Sequence, residues 1–241
     1  TVVYFYDLYA NYNDPELALA VERVLVAHGI RVVVPEQRAS GTSEMLYGFA
    51  EKAAETATFN VEAVLPFVEQ GAAVVSAEPP ATFAFKVHYP DYVRSKACSL
   101  VANATHDLGE FLVRYRQDHP DRAPVPGPLQ ATIARLGGRA DASPARDTTG
   151  NSAGGTIGNP AGRSLRVAYH QPCHLKAQQI GNPALELLRE IPGVEVIDLA
   201  AGCCGMAGTF GMKVGTYDLS MKAGGPLFAR IGSLAPDLLA S

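Results

Sequence analysis

The chain predicts an α/β fold: two tandem lobes, each a parallel sheet flanked by helices, related by a pseudo-two-fold. Three observations carry that expectation. Short β-branched or aromatic runs alternate with longer stretches of helical periodicity, which implies parallel strands with helices on their faces. The order strand, loop, helix, strand and Gly-containing loop begins at Val3 and begins again at Arg166. Between the copies, Pro, Gly, Ser, Asp and Arg dominate.

Val2–Tyr6 is apolar, with β-branched and aromatic residues, and reads as a strand. Asn11-Tyr12-Asn13-Asp14-Pro15 reads as a turn into a helix, with Asp14 able to cap and Pro15 at the first helical position. Leu17, Val21, Val24 and Leu25 recur at helical spacing until Gly29. Ile30–Val34 predicts a second strand, Gly48–Val68 a helix, and Ala72–Ser76 a third strand broken by Pro79-Pro80. Ala97–Tyr115 predicts one continuous helix, with Leu100, Ala104, Leu108, Phe111 and Leu112 on one face. Leu165–Tyr169, Ala184–Ile191 and Val194–Ile197 repeat the strand, helix and strand of the first half. The domain reading is a first repeat over residues 1–117, a Pro/Gly/Ser-rich linker over 118–164, and a second repeat over 165–241. The linker is expected to be longest and most mobile from Gly137 to Gly162.

Composition narrows the function. The 241 residues are 47% hydrophobic and 18% charged, as in ordinary globular chains. A net charge of -4 without basic runs argues against a nucleic-acid surface. No apolar stretch approaches the roughly 18 residues that span a membrane, and no signal peptide is visible. Four cysteines with two adjacent do not form a secreted disulfide framework, so a reducing, cytoplasmic setting is expected. The chain starts at Thr1 and reads as a piece of a longer polypeptide. No glycine-rich dinucleotide fingerprint, phosphate loop or nucleophile elbow is present.

The chemistry concentrates in the cysteines. Cys173 lies in Tyr169-His170-Gln171-Pro172-Cys173-His174, and Cys203-Cys204-Gly205 follows thirty positions later. Each segment follows a predicted strand. In parallel α/β sheets the loops at the strands' carboxyl ends share one edge, so the three thiols are expected to converge there. Adjacent cysteines seldom bond each other, but both can point at one metal centre. Thiolates are the soft ligands of iron–sulfur clusters and zinc. Three thiolates with His174 would complete a tetrahedral zinc site. Gly205 and the glycines to Gly211 let backbone N–H groups approach sulfur. His170 and His174 flank Cys173 and stand as donors or proton acceptors behind the ligands, or as plain half-buried imidazoles. Cys98, in a helical pattern, reads as a buried small apolar residue. His28, His88, His106 and His119 read as surface or helix-end residues without convergent partners.

These motifs resemble the cysteine-rich CCG domain family of heterodisulfide reductase-related iron–sulfur proteins. The resemblance rests on the Cys173 and Cys203-Cys204-Gly205 motifs, on Leu187–Gly193 and on Gly225-Pro226-Leu227-Phe228. Asn11–Pro15, Gly48-Phe49 and Thr82-Phe83-Ala84 resemble the family's first repeat. That repeat normally carries cysteines at positions matching Leu8, Ala39, Ser40 and Ala81, so the first copy here is degenerate. The second copy normally ends in a Cys-x-x-Cys pair beyond residue 241.

The resemblance implies two tandem CCG-type lobes and an electron-transfer component rather than a catalyst in its own right. The cofactor it implies is an iron–sulfur cluster of the [4Fe-4S] type, bound by Cys173, Cys203 and Cys204 with further cysteines beyond residue 241. Its implied partners are a flavin dehydrogenase subunit or fused domain, a ferredoxin-type domain and, indirectly, a quinone or membrane anchor. No nucleic acid is implied. The location would be cytoplasmic or peripheral on the inner face of the cell membrane. A thiol/disulfide redox site and a non-redox scaffold, with structural zinc or no metal, are the alternatives. With no ligand thiolate in the first copy, side chains are expected to pack the space a cluster would fill, Leu8 above all.

Overall fold

The structure, a computed structural model, describes residues 1–122 and 164–241. The first lobe is built on a four-stranded sheet in the order β2-β1-β3-β4, all parallel. Its strands are β1 (Val2–Tyr4), β2 (Val32–Val33), β3 (Ala73–Ser76) and β4 (Thr105–Asp107). The helices are α1 (Pro15–Ala27), α2 (Thr42–Leu46), α3 (Ala50–Val68), α4 (Pro79–Phe83), α5 (Tyr89–Tyr92), α6 (Lys96–Ala104) and α7 (Leu108–Asp118). A π-helical segment, Ala84–His88, joins α4 to α5.

The second sheet has the order β6-β5-β7, again all parallel, which repeats the β2-β1-β3 order of the first. Its strands are β5 (Leu165–Tyr169), β6 (Val194–Asp198) and β7 (Leu238–Ala240). Among the described residues, three α-helices go with it: α8 (Cys173–Ala177), α9 (Pro183–Arg189) and α10 (Tyr217–Leu234).

Period-two alternation explains why β1 is wholly apolar. Val3 and Phe5 pack with Val74 on the face covered by α3 and α6, beside Val61, Val64 and Val101. Val2 and Tyr4 pack with Val75 on the opposite face, against Val21 and Leu25 of α1 and Leu112 of α7. A parallel sheet covered on both faces has no polar side to show. Each such fully buried side chain contributes about 1.5–3 kcal/mol. The second lobe's clusters are smaller: Leu165 and Val167 on one side, Ala168, Leu199 and Leu227 on the other. Leu187 of α9 packs into the first lobe's cluster, so the lobes share a core. Gly109 in α7 permits that approach, because a Cβ there would lie 3.1 Å from the Ala184 amide nitrogen.

Several expectations need correction. The helix foreseen over Ala97–Tyr115 is two helices with β4 between them. Thr105 turns extended and its hydroxyl donates to the Val101 carbonyl at 2.8 Å. Asp107 then caps α7, accepting from the amides of Gly109 at 2.8 Å and Glu110 at 3.4 Å. β4 carries no apolar residue and so shows no hydrophobic period. Pro79-Pro80 open α4 rather than simply breaking a strand. The second strand pairs only at Val32–Val33. Asp14 precedes Pro15 but its side chain makes no capping bond. The predicted linker begins within α7 and a 3-10 turn at Pro120–Arg122, and the rest of it lies outside the described residues.

Candidate metal centre

Cys173 follows the carboxyl end of β5. His170 donates its amide to the Ala240 carbonyl on β7 at 2.9 Å, and Pro172 turns the chain into α8 with Cys173 as its first residue. The Cys173 thiol is exposed, 3.7 Å from His174 Nδ1. Burial holds the His174 imidazole below its ordinary pKa, and His88 adds to the effect. Phe83 stands edge-on to both rings, with centroids 5.5 Å from His174 and 5.0 Å from His88. The expectation that His88 has no convergent partner is thereby corrected: the π-helical segment carries it to the cysteine helix.

Cys203 and Cys204 follow the carboxyl end of β6, the neighbour of β5 in the sheet. Leu199 donates to the Tyr169 carbonyl at 2.9 Å and is itself buried, which fixes the start of the loop. The Cys173 segment then reaches over. Lys176 donates to the Ala201 carbonyl at 2.9 Å, and buried His170 bonds the Gly202 carbonyl through Nε2 at 2.9 Å. His170 therefore stands one residue from Cys203, a link its place in the sequence does not show.

The glycine after the cysteine pair has a steric cause. Gly205 has φ +85°, and a Cβ there would lie 2.1 Å from the Ser220 carbonyl oxygen of α10. A Cβ on Gly224 would sit 2.6 Å from the Cys204 carbonyl oxygen. Ser220 donates its hydroxyl to the Gly205 carbonyl at 2.8 Å. The loop thus lies flat on α10, backbone on backbone, and the Gly205 amide donates to Cys203 Sγ at 3.2 Å. Sequence reasoning misses Ser220 and Gly224 as neighbours of the site; the available signal is a glycine inside a helix.

The donor chemistry suits a thiophilic group: three free, exposed thiols that follow adjacent strands at one sheet edge, one already accepting a backbone N–H. The arrangement is open. Among the described residues, no three Cys, His, Asp or Glu side chains gather closely enough to hold a metal ion. Cys98, by contrast, is buried in α6, and burial pushes its thiol pKa up.

The first lobe treats the same edge differently. The Glu78 carboxylate accepts from the amides of Asp7 at 2.6 Å, Tyr9 at 2.9 Å and Ala10 at 3.4 Å. Burial raises the Glu78 pKa against those bonds. Ser40 is bound by the Asp7 carboxylate through its amide at 2.9 Å and through its hydroxyl. Fully buried Asn60 accepts from the Arg38 amide at 2.8 Å and donates to the Ala39 carbonyl at 3.2 Å. Ala81 is buried, but the packing expected of Leu8 is corrected. Leu8 is 41% exposed and borders a cavity of about 320 Å³ with Ala39, Asn11 and Tyr12. Glu78 ties down the backbone on either side of Leu8, so internal carboxylates rather than an apolar plug order this loop.

The lobes meet at their carboxyl edges. Ala77 and Asp107 from the first sheet and Tyr169 and Ser241 from the second line one cavity of about 120 Å³. Burial raises the Asp107 carboxyl from 3.8 to about 6. No helix among the described residues is long and apolar enough to cross a membrane.

Residues 167–240 match the model of the CCG family, a cysteine-rich domain. The chain is 29% identical over 243 aligned residues to a subunit of the anaerobic glycerol-3-phosphate dehydrogenase of Escherichia coli strain K12, covering 99% of this chain and 51% of that protein. It spans about half the length of that relative. A shorter stretch is 41% identical over 61 residues to an uncharacterised iron–sulfur protein of Methanocaldococcus jannaschii, covering 25% of this chain and 12% of that one. Another is 36% identical over 59 residues to lactate utilization protein A of a Geobacillus strain, covering 23% of this chain and 25% of that one. No solved structure matches. The resemblance read from the sequence therefore holds, with its strongest part in the second lobe.

Proposed function

We propose that this chain is part of an iron–sulfur electron-transfer subunit. It would take electrons from a flavin dehydrogenase of the glycerol 3-phosphate or 2-hydroxy acid type and pass them toward quinone. The observation that carries the reading is the placement of Cys173 and of Cys203-Cys204 after adjacent parallel strands, inside the CCG-matching stretch. Its relatives include a glycerol-3-phosphate dehydrogenase subunit and an iron–sulfur protein. Cys173, Cys203 and Cys204 would hold a cluster of the [4Fe-4S] type with further cysteines beyond residue 241. When bound, the cluster supplies a one-electron redox centre. The chain's own groups do the rest: Gly205 donates to sulfur, His170 fixes the approach to Cys203, and α10 supports the loop. A ferredoxin-type domain would be the neighbouring redox partner. The setting would be cytoplasmic, with peripheral contact at the inner face of the membrane.

The exposure of all three thiols favours a second reading, a thiol/disulfide redox site. A zinc site or a metal-free scaffold would be non-redox. Anaerobic purification of the full-length protein separates these. The first reading expects brown absorbance that dithionite bleaches, with iron and sulfide in the protein. A colourless protein that titrates two electrons at a Cys173–Cys203 or Cys173–Cys204 disulfide supports the second reading. Neither behaviour leaves only zinc or the scaffold.

A further inference from the structure

We infer that the first lobe, which lacks ligand cysteines, is retained as a clamp that positions both cysteine segments of the second lobe. Phe83 and Tyr47 are its positioning residues. The inference rests on reading Cys173, Cys203 and Cys204 as ligands, but the geometry behind it is independent of any bound group.

Two of the three first-lobe segments without a cysteine, those at Ala81 and at Ala39-Ser40, lead within a few residues into a contact with a segment that has one. Ala81 is followed by Thr82 and Phe83. Phe83 meets His174, the neighbour of Cys173, and Thr82 Oγ1 accepts from Gln178 Nε2 at 2.8 Å. Lys86, paired with Glu110 at 2.8 Å, donates to Gln178 Oε1 at 3.2 Å. The Cys173 helix has only five residues, too few to hold its shape alone in water. Beside the Lys176 bond to the Ala201 carbonyl, this contact with α4 and the π-helical segment is what holds it in place.

Ala39-Ser40-Gly41 is followed by α2, which ends at Leu46 beside Tyr47. The Tyr47 hydroxyl bonds Thr209 Oγ1 at 2.5 Å, and Lys213 Nζ stands 4.2 Å over the Tyr47 ring. Gly208, at φ +68°, presses so near Leu46 that a Cβ would lie 3.2 Å from its Cδ2. The loop needs such support. Ala200 and Ala207, flanking the cysteine pair, both have φ 44°, a strained conformation for an L residue. The two contacts are separate, one per cysteine segment, so they can be broken one at a time.

The test uses the full-length protein and amide hydrogen exchange read by mass spectrometry. Phe83→Leu should raise exchange about tenfold over residues 173–178 while residues 203–213 stay as in the wild type. Tyr47→Ala should do the reverse, and Phe83→Tyr should restore the wild-type pattern. In iron-loaded protein both disruptive variants should shift the cluster's reduction potential, and Phe83→Tyr should not. Exchange that rises in both segments together, or in neither, overturns the clamp. A wild-type protein that takes up no iron defeats the cluster reading but leaves the exchange result standing.

Discussion

Gly41 and Gly205 hold matching places in the two lobes, each after a loop at the carboxyl edge of a parallel sheet. Both need a left-handed backbone, at φ +76° and +85°. What a side chain would meet there differs. At Gly41 it meets a Thr56 methyl at 3.3 Å; at Gly205 it meets the Ser220 carbonyl oxygen at 2.1 Å. The first loop is held by side chains: Asn60, Asp7 and Tyr89, whose hydroxyl donates to the Ser40 carbonyl at 2.9 Å. The second packs its backbone directly on α10 and is tied by Lys176, His170 and Ser220 at its carbonyls, with the thiols exposed. In the second loop the thiols take no part in packing. In the first, buried polar side chains do the ordering.

Alanine at the two glycines should separate the two loops most. Gly205→Ala should destabilise the protein by on the order of 3–4 kcal/mol, because strain adds to a backbone clash. Gly41→Ala should cost about 1–2 kcal/mol, since a methyl can move aside. Denaturant unfolding of both variants gives the difference. Equal costs would mean that the loops are held in the same way.

Asn60→Leu tests the side-chain side. It leaves the Arg38 amide and the Ala39 carbonyl without their partner, so a loss of about 2–3 kcal/mol is expected. Iron content should be unchanged, because the cysteine loops are elsewhere.

A smaller effect is expected where the lobes meet. The folded protein holds the Asp107 proton to about pH 6, against 3.8 ordinarily. The native state therefore binds this proton more tightly than the unfolded chain. Its contribution to stability is full at low pH and is lost as pH rises from about 4 through 6. Asp107→Asn keeps the Oδ1 that caps α7 and removes the charge. It should flatten that pH dependence and be the more stable form at pH 7.5; an unchanged slope would show that Asp107 is not the group responsible. Cys98→Ala should be milder still, about 1 kcal/mol, with iron content intact.

How much of this is legible in the sequence depends on the kind of signal. β1, β3, β5 and the long helices can be read because both their faces are apolar or their period is clear. β4 cannot, because Thr105, His106 and Asp107 pair through backbone and carry no hydrophobic pattern. The cysteine motifs announce the site, since few other arrangements place two thiols side by side. The supports around it, and those of the matching first-lobe loop, are silent. Tyr47 and Thr209 lie 162 positions apart, and Glu78 and Asp7 lie 71 apart. No local pattern encodes such pairs. Leu8 misleads for the opposite reason: its apolar chemistry suggests filling, while the hydrogen bonds to Glu78 leave it at the rim of a cavity.

The most direct test of the central claim, that the second lobe alone supplies this chain's cluster ligands, is iron per chain in the full-length protein with single cysteines replaced. Each of Cys173→Ser, Cys203→Ser and Cys204→Ser exchanges a soft thiolate for a hard hydroxyl and should lower iron content and the dithionite-bleachable absorbance together. Cys98→Ser should retain both. Iron lost from Cys98→Ser and kept in Cys204→Ser would contradict the account.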